Sequence, residues 1–211
     1  MIKLAYCNVW DLDLEKAYPL VPPDRQEKID YYRFNKDKKL SAGVYLLLKK
    51  MLDEVDIRDF KIKIDKNNKP YISNYNNIYF NLSHSENMIL CAISDMEVGV
   101  DIEYNDATID LNIAKHYFFN KEYESIINSD NPSDEFFKYW VLKESYMKYT
   151  GLGMKLKLES FEISIENENI KLKNDKKNLI FNLFDIKDYK AGIASHYDVS
   201  DLIEYRVEEL Y

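Results

Sequence analysis

Glycine is scarce in this sequence, with five residues among 211. Loops that cradle nucleotide phosphates need closely spaced glycines, because the backbone itself must approach the phosphate groups. No such glycine-rich loop is present. Its absence argues against the usual dinucleotide-binding and P-loop motifs.

Cysteine and long apolar runs are equally limited. Cys7 and Cys91 are the only cysteines, so neither a disulfide framework nor a cysteine-based zinc site is indicated. No apolar run approaches the roughly 18 residues that a membrane-spanning helix needs. The first residues lack the apolar core and cleavage site of a secretory signal. We therefore expect a cytoplasmic protein with no membrane association.

The residues that are present fit a folded protein, with 46% hydrophobic and 31% charged residues. A chain of 211 residues forms one large domain or two small ones. The net charge of −8 argues against nucleic-acid binding, yet residues 25–50 carry eight lysines and arginines against three acidic residues. This segment is either a surface for a polyanion or a solvated helix face with salt bridges, and charge alone leaves both open.

A short stretch at residues 98–103 has the pattern of a strand. Three aliphatic residues alternate there with Gly99, Asp101 and Glu103. Alternation of period two predicts that the aliphatic side chains are buried on one face and that both carboxylates point from the other.

A second stretch has helical spacing. Phe137, Trp140, Val141, Glu144 and Lys148 recur at i, i+3, i+4, i+7 and i+11. Glu144 therefore lies one turn beyond a large aromatic stripe, on the side that faces the protein. A carboxylate there must be paired, hydrogen-bonded or bound to a metal, because an unpaired buried charge is costly.

Asp101, Glu103 and Glu144, with Lys148 one turn beyond the last, form a candidate hard-cation site beside an anion. Carboxylate oxygens suit magnesium, which leaves its other positions to water and substrate phosphates. A simpler interpretation stays open. Glu144 and Lys148 would then be an ordinary i, i+4 helix pair, and the other two acids would be solvated residues on an edge strand.

The predicted order of strand, helix, strands, helices and strands indicates an α+β fold rather than alternating βαβ units. Strands are predicted on both sides of Ser83-His84-Ser85, which places His84 in a connecting loop. Residues 95–97 are predicted to turn the chain into a hairpin or meander that ends with the Asp101 strand.

At these positions the chain resembles the 4′-phosphopantetheinyl transferases. Gly99-Val100-Asp101-Ile102-Glu103, followed about forty residues later by Trp140-x-x-Lys143-Glu144-Ser145-x-x-Lys148, is similar to the signature of that family. The basic segment with Arg33-Phe34, the turn Asn68-Lys69-Pro70 and the run Phe80-Asn81-Leu82-Ser83-His84-Ser85 are similar to family motifs in the same order. The single-chain length resembles the Sfp-type group rather than the half-sized holo-acyl-carrier-protein synthases.

The resemblance implies a pseudo-dimeric α+β fold, in which two similar α+β halves pack together within one chain with coenzyme A between them. We expect an N-terminal half, residues 1–104, with the basic helix and the coenzyme A-contacting loops. The C-terminal half, residues 105–211, is expected to hold the Glu144/Lys148 helix and the closing strands. The protein is expected to be a monomer.

The resemblance also implies an activity. The phosphopantetheine arm of coenzyme A would be transferred to a serine of an apo acyl or peptidyl carrier protein, with release of adenosine 3′,5′-bisphosphate. Carriers of peptide-synthetase, polyketide and fatty-acid systems are all compatible with the Sfp-type group. The implied cofactor is Mg²⁺, with Mn²⁺ as a substitute, and coenzyme A is the co-substrate.

By the same resemblance, Asp101, Glu103 and Glu144 would hold magnesium against the pyrophosphate. Lys148 would contact the phosphates, and Glu144 would accept the serine proton directly or through a metal-bound water; Asp101, Glu144 and Lys148 form the implied catalytic set. Positions that match coenzyme A contacts of the family are Arg25, Lys28, Arg33, Ser41, Lys69, Ser83, His84 and Lys148. Two other functions stay open: another magnesium-dependent enzyme that cleaves a pyrophosphate, and a non-catalytic coenzyme A- or carrier-binding protein.

Overall fold

A computed structural model describes residues 1–166 and 169–211 of the chain. Its strands are β1 Ile2–Asn8, β2 Ile62–Ile64, β3 Pro70–Ile72, β4 Tyr79–Ser85, β5 Met88–Ser94, β6 Gly99–Tyr104, β7 Ile163–Glu166, β8 Asn169–Leu172, β9 Ile180–Ile186, β10 Tyr189–Ser195 and β11 Leu202–Tyr205. Its α-helices are α1 Leu14–Ala17, α2 Pro23–Tyr31, α3 Asn35–Asp53, α4 Asn112–Tyr117, α5 Asn120–Ile127 and α6 Pro132–Thr150. Short 3-10 helices cover Tyr18–Leu20, Gly153–Lys155, Leu158–Ser160 and Val207–Leu210.

The strands form two main sheets. One has the order β11-β1-β5-β4 and the other the order β6-β10-β9. Neighbours in both sheets are antiparallel, except that β1 and β11 run parallel. The pairs β2-β3 and β7-β8 are separate antiparallel ribbons.

Each main sheet carries one long helix. Helices α3 and α6 are both 19 residues long; α3 packs on β5 of the first sheet, and α6 packs on β6 and β10 of the second. The stripe of α3 that the helical period predicts is buried, and consists of Leu40, Val44, Leu47, Leu48 and Met51. The repeated arrangement of a sheet with one long helix confirms the predicted α+β fold with two similar halves.

Two glycines let α6 lie directly on the second sheet. A Cβ atom at Gly99 would lie 2.0 Å from the carbonyl oxygen of Ser145, and one at Gly192 would lie 2.7 Å from that of Val141. Since neither glycine has a side chain, the helix backbone approaches β6 and β10 more closely than other residues allow. Helix α6 ends at Gly151, whose φ of +69° is left-handed.

The turn before β3 also needs a left-handed residue. Asn68 has a φ of +67°, a conformation that asparagine adopts more readily than most residues other than glycine. Asn68 can therefore hold this turn.

The two sheets exchange strands along the chain. Strand β5 pairs with β1 and β4, whereas β6 pairs with β10, so the predicted pairing of the Asp101 strand with the preceding strand is wrong. Strand β11 returns from the end of the chain to pair with β1. The division between residues 104 and 105 stays a prediction, and a cut there would separate both β6 from β10 and β1 from β11.

Within residues 1–166 and 169–211, no helix has the length and apolar character needed to cross a membrane.

Candidate active site

The candidate site lies where β4 runs beside β6. The expected loop at Ser83-His84-Ser85 is wrong, because β4 continues to Ser85. The Oγ of Ser83 accepts a hydrogen bond from the N–H of Ile102 at 3.4 Å, and the Oγ of Ser85 accepts one from the N–H of Tyr104 at 3.1 Å. These bonds keep the segment extended along β6.

Asp101 is buried in β6, with 3% of its surface exposed. Its Oδ1 accepts hydrogen bonds from Ser83 Oγ at 2.8 Å and from Lys148 Nζ at 2.7 Å. Its Oδ2 is buried and has no hydrogen-bond partner within the part of the chain that the structure describes. A buried carboxylate oxygen without a partner is costly, so Oδ2 is a ready acceptor for a bound cation or donor.

Glu103 lies two residues further along the same face of β6. Ser85 Oγ donates a hydrogen bond to its Oε2 at 2.8 Å. Burial, followed by the negative charge of Asp101, raises the pKa of Glu103 to about 7, against the opposing effects of Ser85, Lys148 and Trp140. Near neutral pH this carboxyl group is divided between its charged and neutral forms, and a nearby cation would favour the charged form.

Glu144 reaches the same region from α6. The turn before it is anchored by aromatic packing, with the rings of Phe136 and Trp140 stacked at a centroid distance of 5.6 Å. Burial, followed by the charge of Asp101, raises the pKa of Glu144, and Lys148 opposes the rise. A carboxylate with a raised pKa is a better proton acceptor than an ordinary glutamate.

Asp101, Glu103, Glu144 and Lys148 line one cavity of about 350 Å³, called here the carboxylate cavity. The Nζ of Lys148 bonds Asp101 and, at 2.8 Å, Ser83 Oγ, and so links α6 to both strands. Because Asp101 is buried and paired across elements, the interpretation of these acids as solvated residues on an edge strand does not hold for it. The other residues of the lining are Leu82, Ser83, His84 and Trp140.

The donors of this cavity fit a hard divalent cation. Carboxylate oxygens from Asp101, Glu103 and Glu144 are the ligands that magnesium prefers, and the unpartnered Oδ2 of Asp101 offers one of them. Among residues 1–166 and 169–211, no group of three His, Cys, Asp or Glu side chains is already arranged to hold a metal ion. The carboxylates would therefore have to converge further around a cation.

Arg25 and Lys28 of α2 lie in a second cavity, of about 420 Å³, whose lining includes Tyr45 and Phe60. The guanidinium carbon of Arg25 is 5.9 Å from the centre of the Tyr45 ring. Cationic groups beside aromatic rings suit phosphate groups and a stacked base.

His84 lines the carboxylate cavity. Its side chain is exposed at the rim, and partial burial, then the charges of Lys148 and Lys28, lower its pKa. The charge of Lys28 on α2 therefore acts on a residue that lines the carboxylate cavity.

Lys69 lines a third cavity, of about 210 Å³, that shares Leu82 and Lys148 with the carboxylate cavity. Its Nζ donates to Glu97 Oε2 at 2.6 Å and to the carbonyl oxygen of Tyr149 at 3.1 Å. Lys69 therefore ties the turn before β3 to the end of α6.

Three further residues with expected coenzyme A contacts lie elsewhere or are already engaged. Arg33 is exposed after α2, with its guanidinium 5.4 Å from the Phe34 ring centre. Ser41 is buried on α3, and its Oγ has no partner within the described chain. The hydroxyl of Ser83 donates to Asp101 and accepts two hydrogen bonds, which fills its capacity. Their contacts with coenzyme A stay predictions.

The expected site residues did not include Ser85, whose hydroxyl donates a hydrogen bond to Glu103, or Trp140, which lines the carboxylate cavity. A signal for Ser85 was present in the sequence, because Asn81, Ser83 and Ser85 alternate like the residues of a strand. The place of Trp140 in the site depends on the packing of α6 on β6, and no local sequence pattern predicts that packing.

A family model described as the 4′-phosphopantetheinyl transferase superfamily matches residues 97–194, which include all three carboxylates and Lys148. A second, described as the N-terminal part of a 4′-phosphopantetheinyl transferase, matches residues 9–95. Together the two models cover most of the chain.

Individual relatives of the chain are also 4′-phosphopantetheinyl transferases. The 4′-phosphopantetheinyl transferase Sfp of Bacillus subtilis is 27% identical over 207 residues, covering 93% of this chain and 92% of the relative. The 4′-phosphopantetheinyl transferase gsp of Aneurinibacillus migulanus is 35% identical over 163 residues, covering 74% and 68%. The L-aminoadipate-semialdehyde dehydrogenase-phosphopantetheinyl transferase of Xenopus laevis is 29% identical over 163 residues, covering 69% and 54%. The chain therefore belongs to the 4′-phosphopantetheinyl transferase superfamily and is an enzyme of its Sfp-type group.

Proposed function

We propose that this enzyme transfers the 4′-phosphopantetheine arm of coenzyme A to a serine of an apo acyl or peptidyl carrier protein, in a magnesium-dependent reaction that releases adenosine 3′,5′-bisphosphate. The observation that carries the proposal is the shared carboxylate cavity, in which Asp101, Glu103 and Glu144 lie beside Lys148. Three carboxylates can hold a cation, and the ammonium group of Lys148 can hold the pyrophosphate beside it.

Coenzyme A is the co-substrate in this proposal. Its phosphates need cationic partners; Arg25 and Lys28 line the second cavity, and His84 lines the carboxylate cavity. The aromatic rings beside Arg25 suit the adenine base. Lys69 and Arg33 would extend this basic surface.

Magnesium would be held by Asp101, Glu103 and Glu144, and when bound it would neutralise charge on the pyrophosphate. The unpartnered Oδ2 of Asp101 supports this assignment. The donors do not by themselves distinguish magnesium from manganese, because both accept oxygen ligands.

Glu144 would act as the general base. Its carboxylate lines the same cavity as the other two acids, and it would accept the proton of the carrier serine. The serine Oγ then forms a bond to the phosphorus nearer the pantetheine, and the bond from that phosphorus to the oxygen of the nucleotide 5′-phosphate breaks. The electron pair leaves with adenosine 3′,5′-bisphosphate, and the ammonium group of Lys148 stabilises the developing charge.

Intact-mass measurement of an apo carrier protein, incubated with the enzyme, coenzyme A and Mg²⁺, tests the proposal. A mass gain equal to one phosphopantetheine arm, lost when a chelator removes the metal, is the expected result. Coenzyme A cleavage without a carrier would instead favour a hydrolase, and binding without reaction would favour a scaffold. A panel of acyl and peptidyl carriers in the same assay identifies the preferred class.

Two substitutions test the assigned roles. Glu144→Gln and Asp101→Ala should each lower the transfer rate by roughly 10²–10⁴-fold, because one removes the base and the other a metal ligand. Exposed Glu159 offers a matched control, and Glu159→Gln should transfer at the parent rate. Parent-like turnover of Glu144→Gln would remove Glu144 from the chemistry.

A further inference from the structure

Side chains, rather than backbone groups, join the edge strands of the two sheets. Strand β4 is at the edge of the first sheet and β6 at the edge of the second. Three alternate residues of β4 accept hydrogen bonds from three alternate backbone N–H groups of β6. The pairs are Asn81 Oδ1 with Val100 N at 2.9 Å, Ser83 Oγ with Ile102 N at 3.4 Å, and Ser85 Oγ with Tyr104 N at 3.1 Å.

This ladder, formed by Asn81, Ser83 and Ser85, has one register throughout, with partners 19 positions apart in sequence. An edge strand presents unpaired N–H groups that need acceptors, and here the acceptors are side-chain oxygens. A slip by one residue would turn the polar side chains of β4 away from β6. The ladder therefore fixes where the acids of β6 lie relative to β4.

Each serine of the ladder has a second bond, to a carboxylate. Ser83 Oγ donates to Asp101 Oδ1 and Ser85 Oγ donates to Glu103 Oε2, both at 2.8 Å. Because each hydroxyl also accepts from a backbone N–H, its proton is directed toward the carboxylate. The serine thus fixes the orientation of the acid from a rigid strand.

The orienting role of the serine can be tested more clearly at Ser85 than at Ser83. Ser83 is buried and also bonds Lys148, which the reaction is proposed to use. Ser85 is half-buried, and its two bonds go to Glu103 and the Tyr104 N–H. Water can replace the hydroxyl at the exposed N–H when the serine is changed.

We infer that Ser85 is a positioning residue that holds Glu103 in the orientation required for cation binding. This inference rests on the proposed function, in which Glu103 is a ligand of the divalent ion. Free rotation of the Glu103 carboxylate after loss of the hydroxyl would weaken binding, because orienting partners of metal ligands commonly contribute to affinity.

Titration of the enzyme with Mn²⁺ in the presence of coenzyme A, followed by the electron paramagnetic resonance signal of free Mn²⁺, tests the inference. Ser85→Ala should weaken Mn²⁺ binding by roughly 5–50-fold. Ser85→Thr retains the hydroxyl and should bind within about twofold of the parent. Ser73→Ala is the matched control, because Ser73 bonds the carbonyl oxygen of Lys61 on an exposed ribbon, and it should not change binding.

The outcomes separate this inference from the proposed function. If the parent enzyme binds Mn²⁺ and Asp101→Ala does not, the metal site itself is supported. If the parent enzyme does not bind Mn²⁺, both proposals are overturned. Parent-like binding by Ser85→Ala would overturn the inference alone, and so would Ser85→Thr binding as weakly as Ser85→Ala. Transfer assays should agree, with a higher Mg²⁺ requirement for Ser85→Ala and a nearly unchanged rate at saturating Mg²⁺.

Discussion

At the scale of single residues, the site concentrates the negative charges of three buried or half-buried carboxyl groups. Asp101 raises the pKa of both Glu103 and Glu144, although burial is the larger cause for each. Such clusters cost folding free energy unless a cation compensates them, and raised carboxyl pKa values are a common mark of functional sites. In the proposed site, the acids would therefore lower the stability of the metal-free protein and provide the ligands for a cation.

The pH dependence of stability follows from Glu103. Its pKa rises on folding from the ordinary value of 4.5 to about 7, so the folded state binds the proton more tightly than the unfolded state. The stabilisation is complete below about pH 4.5 and is lost as pH rises through about 7. In metal-free protein, Glu103→Gln should therefore raise the free energy of unfolding at pH 8 by on the order of 1–3 kcal/mol relative to its effect at pH 5.

Urea unfolding of parent and variant at both pH values, with a chelator present, measures this difference. Glu159→Gln on the exposed surface is the control for a general loss of negative charge. An equal effect of Glu103→Gln at pH 5 and pH 8 would contradict the raised pKa.

At the scale of elements, α6 positions the site, and a buried ion pair next to Glu144 helps to hold it. Lys143 is fully buried, and its Nζ donates to Glu122 Oε1 at 2.7 Å, to Glu122 Oε2 at 2.6 Å and to the carbonyl oxygen of Phe161 at 2.8 Å. Glu122 also accepts from the N–H groups of Phe119 and Ile163. The pair thus links α5, α6 and the approach to β7.

A double-mutant cycle tests this link. Lys143→Met alone leaves the Glu122 carboxylate buried without its cation and should destabilise the protein by about 3–5 kcal/mol. Lys143→Met combined with Glu122→Leu should cost less than the sum of the single changes, because the unpaired charge is absent. Additive effects in urea unfolding would show that the two residues stabilise the fold independently.

Local patterns predicted the elements well and their partners less well. The alternation at residues 98–103 gave the buried face of β6 and the common face of Asp101 and Glu103, because period two is a property of the strand itself. The expected loop at Ser83-His84-Ser85 was wrong because polar residues in series are typical of turns, whereas here they bond another strand. The burial of Lys143 depends on Glu122, 21 positions away, and no local pattern reveals that contact.

At the scale of the whole molecule, the two halves depend on each other through exchanged strands. Strand β6 follows the first sheet in sequence but belongs to the second, and β11 comes after the second sheet but belongs to the first. Tyr205 of β11 adds a hydrogen bond from its hydroxyl to Glu54 Oε1 at 2.6 Å. We therefore expect folding of one half to need segments supplied by the other.

Separate expression of residues 1–104 and 105–211 tests this dependence. Each fragment lacks a strand of its sheet, so neither should show a cooperative unfolding transition alone, while the full chain should unfold in one transition. Mixing the fragments should restore part of the structure by circular dichroism. Cooperative unfolding of either fragment by itself would show that the halves are independent domains.

Sequence reasoning reached the family through motifs and their order, and the α+β class through the order of elements. It could not reach the sheet order, because pairing of β1 with β11 and of β6 with β10 joins segments far apart in the chain. The convergence of β4, β6 and α6 on one cavity follows from that topology. The spacing of the motifs in the sequence is compatible with this convergence but does not specify it.

In the proposed mechanism, acids from β6 and α6 bind one divalent ion beside the pyrophosphate of coenzyme A. Anomalous diffraction from crystals of the enzyme with Mn²⁺ and coenzyme A measures this directly. We expect one strong peak within bonding distance of Asp101, Glu103 and Glu144 and of a pyrophosphate oxygen. Mn²⁺ bound away from these carboxylates, with coenzyme A in place, would contradict it.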